Sequence, residues 1–290
     1  MSSRGDALPI LAVTLGVVAL WYLFAVILNA PWAYDQAGRE GVELGFGDMV
    51  AATLSQDRPR LPAPDQVAVE LWKTTAEVAP TSRRSLIYHG WVTLSATLAG
   101  FAMGTALGTL LAIAIVHDRT TDASVMPWVI ASQTIPILAI APMIIVVLSS
   151  VGISGLLPKA LISMYLSFFP VAVGMVKGFR SPERMQLDQM RTWNASRAQV
   201  FRKLRWPAAT PYLFASLKVA AAASLVGAII GELPTGAQAG LGARMLSGSY
   251  YGQTVQIWSA LAMAAILAAL LVGAIGLAER VTARAMGARA

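Results

Sequence analysis

Eight lysines and arginines crowd into the stretch from Lys177 to Pro211: Lys177, Arg180, Arg184, Arg191, Arg197, Arg202, Lys203 and Arg205 stand against only Glu183 and Asp188. Such a stretch recognises a partner; it does not make or break bonds. Ser181-Pro182-Glu183 has the form of a helix start, with a capping hydroxyl, a proline in the first helical position and an acid in the first turn. The spacing predicts a helix to about Trp193, and Asn194 then suits a residue of positive φ. Ser196 is placed to cap a second short helix, Arg197 to Leu204, which Pro207 is expected to end before Pro211 leads into an apolar run. The expected product is a rigid helix–turn–helix elbow with arginines on its flanks, sized to fit a cleft on another protein.

Little else in the chain could do chemistry. There is no cysteine, which excludes disulfides and thiolate-held metal or iron–sulfur centres. His89 and His117 flank the two ends of one apolar run, too far apart to share a metal or relay a proton. A phosphate-cradling loop needs a Gly-Lys pair, and none occurs. Three polar features interrupt apolar sequence. Lys218 is placed to meet an anionic substrate or a neighbouring helix, or to snorkel to an interface. Glu232, near Pro234, Thr235 and Gly236, reads either as a lining of an external vestibule or as a solvated helix end. Ser132, Gln133 and Thr134, before Pro136, either face a central pathway or bond between helices. These five residues, Ser132, Gln133, Thr134, Lys218 and Glu232, are the candidate pathway-lining set.

The elements that must position these residues are apolar. Of the 290 residues, 56% are hydrophobic and 13% charged, against roughly 25% charged in soluble domains. About 20 apolar residues span a hydrocarbon core as a helix. The runs 8–28, 90–116, 125–151, 160–176, 211–231 and 255–278 meet that length or nearly so, with only Lys218 inside any of them. The expectation is an all-α polytopic membrane protein of six transmembrane helices. The first run is longer than the apolar part of a signal peptide and reads as an uncleaved anchor. Six spans place both termini on one side. If that side is the cytoplasm, thirteen Lys and Arg lie inside: Arg4, Arg119, the eight of the elbow, Arg280, Arg284 and Arg289. Only Lys159 and Arg244 oppose them in short external loops. Net charge +7 is therefore read as membrane topology, with no nucleic-acid partner.

The expected organisation is an anchor at 1–30, an external segment at 31–88, a five-helix domain at 89–280 carrying the loop 177–211, and a cytoplasmic tail at 281–290. Residues 29–60 are polar and read as irregular. Leu61-Pro62-Ala63-Pro64 is stiff and extended, and residues 65–77 carry the spacing of a surface amphipathic helix. Gly100, Gly104 and Gly108 recur every four residues, a pattern that permits close helix approach, unless it is ordinary glycine content. Pro127, Pro136 and Pro142 predict a kinked or broken third span.

The basic loop resembles the Glu-Ala-Ala loop of binding-protein-dependent ABC importer permeases. That motif runs Glu-Ala-Ala, three residues, Gly, nine residues, Ile, any residue, Leu-Pro. Asp188 stands for the Glu, Asn194 for the Gly, Leu204 for the Ile, and Trp206-Pro207 for Leu-Pro. Gln133-Thr134-Ile135-Pro136 followed by Pro142, the Leu61–Pro64 segment and Gly240-Leu241-Gly242 are similar to the nitrate/sulfonate/taurine branch, and the resemblance covers about residues 61–280. The sequence departs at Gln189 and Met190, where the family has alanines, and at Asn194.

The resemblance implies a type I ABC importer transmembrane fold with a cytoplasmic coupling helix. It assigns Asp188, Arg191, Asn194, Ser196, Arg197, Leu204 and Pro207 to the ATPase-coupling loop. It implies a non-enzymatic permease subunit in a bacterial inner membrane, forming the pathway for a small polar organic or anionic solute by alternating access. No cofactor is expected, ATP being bound by the partner. The implied partners are a dimer of cytoplasmic ATPase subunits, a second copy of the permease, an external substrate-binding protein and the lipid bilayer. An ion-coupled secondary transporter is the alternative, but such proteins bury carboxylates in mid-membrane and no run here contains one. An intramembrane enzyme lacks its constellation, and a membrane scaffold leaves the motif spacing unexplained.

Overall fold

The computed structural model describes residues 7–233 and 238–287; Arg4, Arg289 and the Pro234–Gly236 stretch lie outside them. The described regular structure is all helical: α1 (Ala7–Glu40), α2 (Phe46–Leu54), α3 (Pro64–Trp72), α4 (Leu86–His117), α5 (Arg119–Ala131), α6 (Ile137–Ser150), α7 (Leu156–Phe179), α8 (Arg184–Thr192), α9 (Arg197–Val200), α10 (Trp206–Ile230), α11 (Leu241–Tyr250) and α12 (Thr254–Ala285). Among the described residues, five helices are long and apolar enough to cross a membrane: Leu8–Glu40, Leu86–His117, Leu156–Phe179, Arg197–Ile230 and Thr254–Ala285. The third apolar run is broken. α5 and α6 meet at 97° across the Ser132–Thr134 turn, and the pair counts as the sixth span only if taken together. Neither half crosses alone, since 13 and 14 residues reach roughly 20 Å against a core of about 30 Å. The break falls where the prolines placed it. Pro136 has no N–H to continue the turn, and it holds Ile135 extended (ψ 118°).

The chain divides into two compact units, one running to His89 and including Arg244–Met263, the other comprising Gly90–Ala243 and Ala264–Ala290. In the first, α1 runs to Glu40 and α2 follows, so residues 29–60 are not the irregular segment that their polarity suggested. The reason is Asn29, buried inside α1. Its side-chain amide donates to the Leu61 carbonyl at 2.8 Å and its oxygen accepts from the N–H groups of Arg60 and Leu61. Gln56 donates to the Asn29 carbonyl, and Gln66 to that of Gln56. The stiff Leu61–Pro64 segment is thereby tied along α1; α3 begins at Pro64, one residue before the 65–77 helix that the amphipathic pattern predicted, and ends at Trp72, with a π turn over Lys73–Glu77.

In the second unit α4, α7 and α10 form the core, and small residues bring them together. A Cβ at Gly100 would lie 2.3 Å from the Ser163 side chain, one at Gly104 2.1 Å from Ser167 Oγ, and one at Gly108 2.6 Å from the Phe168 carbonyl oxygen. Gly227 on α10 meets the Ser163 backbone in the same way. Close backbones let hydroxyls bridge the helices: Ser163 bonds the Ser224 carbonyl at 2.7 Å, Ser224 the Thr97 carbonyl at 2.8 Å, and Ser167 that of Gly100 at 3.3 Å. This is the packing mode available where lipid removes the hydrophobic incentive for helices to associate.

Candidate functional site

The elbow is built from local signals. α8 begins at Arg184 with Glu183 as its cap, the Glu183 N–H donating to Gln186 Oε1 at 3.1 Å. Ser181 does not cap this helix. Its hydroxyl turns back to the Gly178 carbonyl at 2.7 Å and closes the end of α7, so the start lies two residues later than the sequence pattern suggested. α8 ends in a Schellman turn: Asn194 sits at φ 51°, its N–H bonds the Arg191 carbonyl at 2.9 Å, and the Ala195 N–H bonds that of Met190 at 3.0 Å. Ser196 then caps α9 through a capping box, its hydroxyl accepting from the Gln199 N–H and Gln199 Oε1 accepting from the Ser196 N–H at 2.8 Å.

Pro207 does not end the second limb. From Arg197 the chain runs through a π turn at Phe201–Arg205 directly into α10, a continuous helix to Ile230. The Trp206 N–H reaches back five residues to Phe201. The widened turn shifts the register just before the proline, which then occupies the opening of an α-helical segment, where its missing N–H matters least.

The elbow stands on an aromatic base. Phe179, fully buried at the end of α7, packs against Phe201 at 5.0 Å and Trp206 at 5.7 Å, and the His117 ring at the end of α4 lies 4.8 Å from Phe201. The Arg205 guanidinium donates to the Phe179 carbonyl, and Arg180 pairs with Asp122 on α5 at 2.7 Å. At the elbow's foot is a cavity of about 400 Å³ lined by His117, Leu187, Arg191, Arg197, Phe201 and Arg205 among others. Above the base α8 is exposed except for half-buried Leu187 and Met190. Met185, Asp188, Gln189 and Trp193 face outward, and Arg191 pairs with Asp188 at 3.0 Å while remaining 81% exposed. Of the two bulky residues standing for alanines, only Gln189 is fully on the outer surface. Leu204 is half-buried within the π turn.

The candidate pathway residues are dispersed. Ser132, Gln133 and Thr134 form the turn between α5 and α6; Ser132 and Thr134 bond their own helix's carbonyls, the Tyr165 hydroxyl bonds the Ser132 carbonyl, and Gln133 and Thr134 are exposed. Lys218 pairs with Glu279 of α12, the neighbouring-helix outcome. Glu232 is neither on an open vestibule nor at a solvated helix end. It is 0% exposed and bonded to Thr93 at 2.9 Å and to the Gly242 N–H at 3.0 Å, with Lys159 at 3.6 Å. Burial pushes its carboxyl up to about 7, against the opposing pull of Lys159 and the hydrogen bonds from Gly242 and Thr93. This cluster and the aromatic base were missed from sequence. The Gly240-Leu241-Gly242 run was the one signal for the former, since glycine often marks close approach.

Residues 104–286 match the family described as binding-protein-dependent transport system inner membrane component. The chain is 32% identical over 77% of its length to the riboflavin transport system permease protein of Chloroflexus aurantiacus, covering 80% of that protein. It is 29% identical over 63% of its length to the formylaminopyrimidine transport permease protein of Halalkalibacterium halodurans, covering 68% of it. A chain of the inward-facing MetNI methionine ABC transporter shares the fold, with a TM-score of 0.56 at 20% identity, over 69% of this chain and 95% of that one. This multi-pass membrane chain therefore belongs to the binding-protein-dependent transport system inner membrane components, the permease subunits of ABC importers.

Proposed function

We propose that two copies of this permease enclose a translocation pathway and that each copy docks a separate cytoplasmic ATPase through its elbow. An external binding protein delivers the solute. ATP-driven closure of the ATPase pair moves the elbows and switches the pathway between its two facing states, a lever joining two bistable elements. The observation that carries this reading is the elbow: an exposed helix whose tip is set by a Schellman turn and whose base is locked by Phe179, Phe201 and Trp206. A limb fixed at its base transmits force, whereas a loose loop absorbs it. Asp188, Arg191, Asn194, Ser196, Arg197, Leu204 and Pro207 form or support this limb. With no Gly-Lys pair in the chain, ATP hydrolysis belongs to the partner. The excess of Lys and Arg on the elbow's side supports a cytoplasmic elbow and cytoplasmic termini in a bacterial inner membrane.

The solute is inferred to be a small polar molecule, and a nitrogen heterocycle is the leading class. Both relatives named above carry heterocycles in their descriptions, riboflavin and formylaminopyrimidine. The test is affinity purification from the native membrane. The expected result is a stoichiometric subunit bearing a phosphate-binding Gly-Lys-Ser/Thr loop, together with an associated binding protein whose intrinsic fluorescence responds to flavins or pyrimidines. A chain that purifies alone and moves solute under an ion gradient would overturn the reading.

A further inference from the structure

The helix that starts at the elbow ends beside a buried carboxyl group. From Arg197 to Ile230 the rod is 34 residues long, roughly 50 Å at the α-helical rise and longer than the hydrocarbon core is thick. Two residues beyond its end, Glu232 is enclosed on every side. Its two oxygens accept from the Thr93 hydroxyl on α4 at 3.1 and 2.9 Å, and one accepts from the Gly242 N–H at 3.0 Å. The same Thr93 oxygen accepts from the Leu241 N–H at 2.8 Å. Lys159 on α7 stands 3.6 Å from the carboxylate and donates to the Ala239 carbonyl at 3.0 Å. Gly240, at φ 122°, lies so close that a Cβ there would fall 2.1 Å from the carboxyl carbon. A Cβ at Gly242 would meet the Ile229 carbonyl oxygen at 2.4 Å. Glu232, Thr93 and Lys159 therefore bind Ala239 and the first turn of α11, at Leu241 and Gly242, directly to the ends of three core helices.

A buried ionisable group is weak evidence for stability, because desolvation opposes it; fixing one arrangement is the better-attested use. Here the arrangement fixed is that of a segment joined to the far end of the rod whose near end is the elbow. We propose that Glu232, held by Thr93 and Lys159, is the positioning clamp through which displacement of the elbow reaches residues 238–242 on the opposite membrane face. The inference rests on the importer reading. Glu232 acts without touching solute, its side chain being closed off. Severing the clamp leaves the elbow, its docking and its motion intact, and stops the motion at the end of the rod.

The absence of native cysteine makes the test direct. Spin labels at Ala198→Cys on the elbow and Gln238→Cys just before α11, both exposed positions, report distances between the two copies in the purified permease–ATPase complex. They are read without nucleotide and with MgATP and vanadate. In the otherwise native complex both label pairs should shift. In Glu232→Gln, which keeps the volume, and in Gly240→Ala, which drives a methyl into the carboxylate, the Ala198 pair should still shift and basal ATP hydrolysis should persist, while the shift of the Gln238 pair is lost. A merely structural role would weaken both shifts together or neither. A wild-type shift at the Gln238 pair in both variants overturns the clamp. An Ala198 pair that stays still in the otherwise native complex overturns the importer reading, and the clamp with it.

Discussion

Asn194 is the one non-glycine residue at positive φ among those described, and it was legible in sequence because the left-handed region is a local preference. Asn194→Gly should be neutral or slightly stabilising for the elbow. Asn194→Val places a β-branched residue at φ 51° and should cost about 1–2 kcal/mol, read as lost ATPase co-purification with membrane insertion unchanged. Equal behaviour of the two variants would contradict the turn's role. The burial of Glu232, a residue the sequence did single out, was not legible, because it is made by residues as far as 139 positions away. Its titration has a definite sign. Unfolded, the carboxyl loses its proton near 4.5; folded, at about 7. Between those values the unfolded chain is the form that has released the proton, so stability falls as pH rises, by on the order of 3 kcal/mol if the whole shift is expressed. Thermal unfolding in detergent from pH 5 to pH 8 should show the decline, and Glu232→Gln should flatten it. A slope that survives in the variant assigns it to another group.

Two elements behave differently from their sequence pattern, for one reason. Ser181 and Pro207 carry correct local signals, a cap and a breaker, yet the helix boundaries are set by what the backbone can bond. The Ser181 hydroxyl finds the Gly178 carbonyl, and the π turn before Pro207 absorbs the missing donor. Gly100, Gly104 and Gly108 are the opposite case, a pattern whose meaning survived because period-four spacing names a face of α4 whatever the helix meets. Gly104→Val should force α4 from α7, since its Cβ would lie 2.1 Å from Ser167 Oγ and 3.1 Å from the Met164 carbonyl oxygen. The expected cost is about 1–3 kcal/mol or more, measured as a lower unfolding midpoint in detergent. Gly16→Val on α1, where nothing lies within 4 Å, is the control and should be tolerated far better. Similar losses at both sites would remove close packing as the cause.

At the scale of the whole molecule, function depends on what the chain meets outside itself. Reversing Arg191 and Arg197 to glutamate should abolish ATPase co-purification while leaving insertion intact, because both are exposed on the elbow and neither supports the core. Undiminished co-purification would remove the elbow from its assigned role. The sequence by itself determined the helical class, the apolar runs, the break in the third run, the elbow's turn and the family resemblance. Each follows from composition or from spacing within a few residues, where the physics is local. Tertiary structure alone decided that α1 extends to Glu40 around the Asn29 knot, that the second limb of the elbow and α10 are one rod, and that the rod ends on a sealed carboxylate. Those features depend on desolvation and on backbone groups bonding across distant segments, and no local pattern encodes which distant atoms will arrive.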